Sequence, residues 1–136
     1  RLLDAIENHP FRGLIRLSSI EPMELSGEII RRVADSEKVC PHFHIPLQSG
    51  YTDTLKKMRR PYTAERYETL IHTIRQCIPH CTIGCDVMVG FPGETDQDFM
   101  MTARFLEALP VSYLHVFPYS ERPGTAAVLL TPKVPE

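Results

Sequence analysis

The chain reads as an α/β protein, a partial TIM-type (β/α) barrel in which an arc of parallel strands carries helices on its outer face. Three observations lead there. Short apolar runs alternate with segments of helical periodicity, the order that builds parallel strands through right-handed crossovers. Each candidate strand has one apolar and one polar alternating face. A sheet covered by helices on both sides reads as continuously apolar, so the polar face points to a wall curved around a lumen. Finally, Asp86-Val87-Met88-Val89 runs into Gly90-Phe91-Pro92-Gly93-Glu94-Thr95, the strand–turn–helix junction at which α/β proteins hold ligands. Four strands make an arc of an eight-stranded barrel. A small open α/β sandwich is the alternative this pattern leaves standing.

In order, Leu2 to Ile6 reads as the tail of a helix. Leu14 to Ser18 is the first strand candidate, followed by a helix that Pro22 starts and that Ile29, Ile30 and Val33 face inward. His42 to Gln48 is the second strand, and a short basic helix over Thr52–Met58 leads into Arg59-Arg60-Pro61. Tyr67, Leu70, Ile71, Ile74 and Ile78 repeat at helical spacing. Ile83 to Val89 is the third strand. Thr95 caps the next helix, with Asp98 closing a short-armed capping box and Phe99, Ala103 and Leu106 as its buried face. Tyr113 to Tyr119 is the fourth strand, and residues 125–136 form an irregular Pro-rich tail. The apolar face comprises Ile15 and Leu17; Phe43, Ile45 and Leu47; Cys85, Val87 and Val89; Leu114 and Val116. The polar face comprises Arg16 and Ser18; His44 and Gln48; Asp86 and Met88; His115 and Tyr119. Asp86 is the odd member of its strand, either a hydrogen-bonded structural carboxylate or a ligand group.

The 136 residues, 43% hydrophobic, suffice for one core, and a formal charge of −2 excludes a global basic footprint for nucleic acid. No apolar run reaches membrane-spanning length, and no charged-then-apolar leader is present. Beginning at Arg1 inside a helix, the chain reads as a piece of something longer. Cys77, Cys81 and Cys85 stand at C-x3-C-x3-C with Cys40 far off, a spacing that invites a metal reading with His80 as a further ligand. Pro79 breaks the helix carrying Cys77, however, so the three thiols fall on a helix end, a turn and a strand. The expectation is therefore no metal site, and cytoplasmic residence is the default for such cysteines.

Four stretches together resemble one family. They are His44-Ile45-Pro46-Leu47-Gln48-Ser49-Gly50, Leu55 to Thr63, Asp86 to Thr95, and Val116 to Thr125. In this order they resemble the radical S-adenosylmethionine methylthiotransferases. Arg16-Leu17-Ser18-Ser19-Ile20-Glu21-Pro22 is most similar to the branch that modifies threonylcarbamoyladenosine beside the tRNA anticodon. The branch acting on isopentenyladenosine usually has Ser-His-Pro there, and the branch acting on a ribosomal protein usually has Gln-His where this chain has Gln48-Ser49.

The resemblance implies site roles position by position. Gln48 contacts the ribose and methionine portion of S-adenosylmethionine. Arg60, twelve positions on, holds the methionine carboxylate with its planar fork. Asp86 accepts from the ribose hydroxyls, Met88 and Val89 border the adenine, and Ser18 and Glu21 lie near the cofactor. His115, Tyr119 and Arg122 fall on the substrate side. The family's C-x3-C-x2-C cluster signature is not Cys77–Cys85, so the [4Fe–4S] ligands lie outside this chain. The chain is then the C-terminal portion of a radical S-adenosylmethionine barrel domain, 1–136, without the cluster-binding part or the RNA-binding domain. On its own it is expected to be inactive and to self-associate through cut sheet edges. The resemblance implies that the whole enzyme adds a methylthio group to a modified adenosine next to the tRNA anticodon. The alternatives are a ribosomal-protein methylthiotransferase, a non-catalytic barrel domain, or a phosphate-binding barrel using the Gly90–Thr95 turn.

Overall fold

A computed structural model describes residues 2–134 of the chain. Helices α1 (Leu2–Asn8) and α2 (Gly27–Asp35) precede strand β1 (His42–His44). Helices α3 (Thr52–Lys57) and α4 (Ala64–Cys77) precede β2 (Thr82–Val89), and α5 (Asp96–Ala108) precedes β3 (Tyr113–Pro118). The strands form one parallel sheet in the order β1-β2-β3, with His44 opposite Gly84 and Asp86 opposite His115. Helices joining parallel neighbours fit a partial barrel arc.

The first predicted strand, Leu14–Ser18, is not one. Ile15 makes a single parallel bridge to Val39, and Ile20 donates to the His44 carbonyl at 3.0 Å. Between them Ser19 turns to φ +55°, a left-handed conformation that breaks an extended run. The second strand is also shorter than expected, its regular ladder ending at His44. Pairing nevertheless continues in broken form: Leu47 and Gln48 both donate to the Asp86 carbonyl, at 3.1 and 2.8 Å, and Met88 donates to the Gln48 carbonyl at 2.9 Å. Two residues facing one is a bulge, and Gln48 takes it up at φ +72°.

Two tyrosines stand in for the missing ladder. Tyr67 donates to the Ile45 carbonyl at 2.7 Å, and Tyr62 to the carbonyls of Pro46 and Leu47 at 3.2 and 3.1 Å. Both phenols are buried, which raises their pKa values, Tyr62 to about 12. A phenol whose pKa is higher folded than unfolded stabilises the fold below the unfolded value of about 10, and the contribution is lost as pH rises through the folded value. The unfolding free energy from urea titrations should therefore fall between pH 10 and 12, by up to ~1.4 kcal/mol per pH unit per tyrosine. Tyr62→Phe should flatten that slope.

The outer face behaves as its pattern predicts over β1 and β2. Phe43, Ile45, Leu47, Ile83, Cys85 and Val87 pack with Ile30 and Val33 of α2 and with Tyr67, Ile71 and Ile74 of α4. On β3 it does not: Leu114 and Val116 are 39% and 59% exposed, because no described helix lies over them. Two helix readings also shift. The second helix starts at Gly27 rather than Pro22, capped by the Ser26 hydroxyl on the Ile29 N–H. In α5 the capping box of Thr95 and Asp98 forms as expected, but Phe99 is exposed. Leu106 packs on the core as expected, joined by Thr102 and Phe105, because Gly50 comes so close that a Cβ there would lie 3.0 Å from the Thr102 backbone. The Thr102 hydroxyl bonds Ser49 and the Gly50 N–H, a polar anchor that apolar periodicity cannot reveal. The tail is less irregular than expected, containing a turn of 3₁₀ helix at Ala126–Leu129, while residues 135–136 of the predicted tail lie outside the described residues.

Candidate functional site

The inner face of the sheet carries two rows of polar side chains. The outer row, toward the C-terminal ends of the strands, borders a cavity of about 540 Å³. Gln48, Arg60, Met88 and Tyr119 line it together with Lys57 and Phe91, and residues of the 3₁₀ turn close one side. Barrel enzymes place their sites at this end. Arg60 arrives there through local geometry: Arg59 sits at φ +57° after α3, and the Arg60 N–H returns to the Leu55 carbonyl at 2.9 Å. Its guanidinium then pairs with Glu21 at 3.2 Å.

The turn beside the cavity is held from inside. Gly90 and Gly93 adopt φ +74° and +79°, values that favour glycine. The Gly90 N–H donates to the Glu94 carboxylate at 2.6 Å. Burial pushes the Glu94 carboxyl above its ordinary pKa, and the Gly90 and Phe91 N–H groups partly offset that.

The inner row is a connected chain of polar groups. His44 Nε2 and His115 Nδ1 both contact Asp86 Oδ1, at 2.7 and 3.2 Å. The Tyr113 hydroxyl lies 3.3 Å from His44 Nδ1 and 3.0 Å from His42 Nε2, and Arg16 donates to it at 3.2 Å. Burial, then the Arg16 charge, lowers the His42 pKa. Gly84 makes the row possible, since a Cβ there would lie 2.1 Å from the Tyr113 ring. The ligand atoms of His44, Asp86 and His115 lie within 4.8 Å of one another, close enough to serve as metal ligands. No cysteine belongs to such a group among the described residues.

Of the residues expected from sequence, Gln48, Arg60, Met88 and Tyr119 meet at the cavity, and Glu21 joins them through Arg60. Asp86 and His115 meet one row deeper. Val89 does not offer its side chain, which packs on the core, and its carbonyl is taken by the Tyr119 N–H at 2.8 Å. Ser18 and Arg122 are exposed and do not line the cavity. Arg16, His42, His44 and Tyr113 were not singled out as site residues. The alternation His42-Phe43-His44 at a strand end was the available signal for two of them.

The cysteines differ in access. Cys77 is exposed, whereas Cys81 and Cys85 are buried, and burial raises both their thiols, Cys85 to about 11. Under native conditions iodoacetamide should modify Cys77 first and leave Cys81 and Cys85 unmodified until denaturant is added, as read by peptide mass mapping.

Comparison with known proteins gives this geometry a context. A threonylcarbamoyladenosine tRNA methylthiotransferase of Aquifex aeolicus is 48% identical over 123 residues, 90% of this chain and 30% of that protein. A tRNA-2-methylthio-N(6)-dimethylallyladenosine synthase of Pelotomaculum thermopropionicum is 42% identical over 135 residues, 99% of this chain and 30% of that protein. A threonylcarbamoyladenosine tRNA methylthiotransferase of Bacillus subtilis is 43% identical over 122 residues, 90% of this chain and 27% of that protein. The chain thus spans about a third of the length of these relatives. Residues 2–106, which include both rows except His115, Tyr113 and Tyr119, match the family described as the radical SAM superfamily. With that match covering most of its length, the chain belongs to the radical SAM superfamily.

Proposed function

We propose that the chain is the cofactor-holding arc of a methylthiotransferase that adds a methylthio group to a modified adenosine beside the tRNA anticodon. The observation that carries this reading is the convergence of Gln48, Arg60 and Met88 on one cavity in a chain 40–48% identical, over nine-tenths or more of its length, to tRNA methylthiotransferases and methylthio-adenosine synthases. The residues fit S-adenosylmethionine. About 540 Å³ lies within the range of small-molecule sites, with one guanidinium for a carboxylate and an apolar wall of Met88 and Phe91 for an adenine. Bound there, the cofactor supplies radical hydrogen abstraction from an adenine C–H and the methyl group. The chain's own residues orient it: Arg60 on the methionine carboxylate, Gln48 on the ribose and methionine portion, and Asp86 on ribose hydroxyls. Glu21 holds the guanidinium in place, and His115 and Tyr119 face the substrate side. The [4Fe–4S] ligands belong to the rest of a longer protein that works on tRNA in the cytoplasm. No helix of the described residues is long and apolar enough to cross a membrane. The uncovered Leu114 and Val116 of β3 support self-association of the isolated chain.

The Arg16–Pro22 segment and the 48% relative favour threonylcarbamoyladenosine as substrate. Expression of the longer protein in cells lacking each tRNA methylthiotransferase, followed by mass spectrometry of tRNA nucleosides, tests this. The methylthio derivative of threonylcarbamoyladenosine should reappear. Restoration of the dimethylallyl derivative alone would assign the other substrate, and restoration of neither would remove the activity.

A further inference from the structure

We propose that His44 and His115 are positioning residues that clamp Asp86 Oδ1 from two sides and so present Oδ2 to a hydroxyl-bearing ligand in the lumen. The inference rests on the reading of Asp86 as an acceptor for the cofactor's ribose. Its basis is the asymmetry of the carboxylate: both imidazole contacts fall on Oδ1, and among the described residues no hydrogen bond reaches Oδ2. The placement follows from the backbone. Asp86 and His115 are paired directly across β2 and β3, and His44, opposite Gly84, comes from the β1 side one pleat away. The two rings therefore approach one oxygen from both flanking strands.

The clamp has its own support. With the Tyr113 hydroxyl at His44 Nδ1, a proton on His44 Nε2 points at Asp86, and the hydroxyl is itself held by Arg16. The Tyr113 ring can lie where it does only because residue 84 is glycine. His44 is buried and Asp86 half-buried, so little water competes for these bonds, whereas His115 is the exposed member that opens to the lumen. An aspartate in an open arc would otherwise rotate freely, and each ligand would have to order it on binding. Asp86 held by one oxygen is ordered beforehand and keeps the other for two hydroxyl donors of a vicinal diol.

Equilibrium binding of S-adenosylmethionine to the cluster-loaded longer protein tests the clamp. Asp86→Ala should raise Kd about 10- to 100-fold, and His44→Ala and His115→Ala each about 3- to 30-fold, with iron content unchanged and the fold retained by circular dichroism. His44→Gln and His115→Asn, which keep an N–H donor, should recover most of the affinity. Competition by adenosine should respond to the same variants, and competition by 2′,3′-dideoxyadenosine should not. If Asp86→Ala weakens binding while both histidine-to-alanine variants bind as the native protein does, the clamp is wrong and the ribose reading survives. If Asp86→Ala has no effect, the ribose reading itself fails. One zinc or cobalt ion per chain, lost in all three variants, would make the cluster a metal site and overturn the clamp.

Discussion

Truncating Tyr67 to alanine should remove about 3–5 kcal/mol of stability, a large share of the roughly 5–15 kcal/mol that holds a domain together. Tyr67 is fully buried where α4 packs on the sheet, and its hydroxyl satisfies the Ile45 carbonyl. The substitution leaves a ring-sized void and an unpaired buried acceptor at once. Tyr67→Phe separates the two effects: it keeps the ring and should cost about 1–3 kcal/mol for the lost hydrogen bond. The consequence reaches the site, because the Ile45–Leu47 segment that Tyr67 and Tyr62 hold leads directly to Gln48. Urea unfolding of the three proteins measures this. A Tyr67→Ala protein within 1 kcal/mol of the native one would show that the tyrosine does not replace the strand ladder.

The second large effect concerns the cofactor. In the longer protein, Arg60→Ala should weaken S-adenosylmethionine binding about 10- to 100-fold, the loss expected for a charge-assisted bond to a carboxylate. Iron content should not change, since the cluster ligands are expected outside this chain and Arg60 is not one of them. Arg60→Lys should recover part of the loss, because an ammonium keeps the charge and loses the fork. Glu21→Gln should have a smaller effect through Arg60 alone, since the pair at 3.2 Å is partly exposed and water screens it. Equal effects of Arg60→Ala on S-adenosylmethionine and on adenosine would place the guanidinium away from the methionine carboxylate.

How far the sequence reveals this structure depends on which signals are local. The parallel order of β1, β2 and β3 and the capped start of α5 follow from period-two and period-3.6 patterns and from Thr95 and Asp98. Apolar alternation at Leu14–Ser18 looked the same as that of a strand, but Ser19 at φ +55° and the lack of ladder partners keep it irregular. Phe99 shows the converse failure, where the burial of a helix face is decided by a hydrogen bond that the Thr102 hydroxyl accepts from the Gly50 N–H of a neighbouring loop. The cavity lining was legible from motif similarity at Gln48, Arg60, Met88 and Tyr119. Of the inner row, Arg16, His44, Asp86 and His115 were legible as members of one polar face, but their contacts were not, because these depend on register: nothing in the local sequence says that His115 lies beside Asp86, or that Gly84 leaves room for the Tyr113 ring. Single left-handed residues, Gln48 and Arg59, aim two of the cavity side chains and leave no periodic trace.

In the proposed function, the concave polar face of this arc cradles S-adenosylmethionine. A crystal structure of the cluster-loaded longer protein with S-adenosylmethionine bound tests it most directly. The methionine carboxylate should lie on Arg60, the ribose between Gln48 and Asp86 Oδ2, and the adenine along Met88 beside Phe91. Cofactor bound with none of Gln48, Arg60 or Asp86 within hydrogen-bonding distance would contradict it.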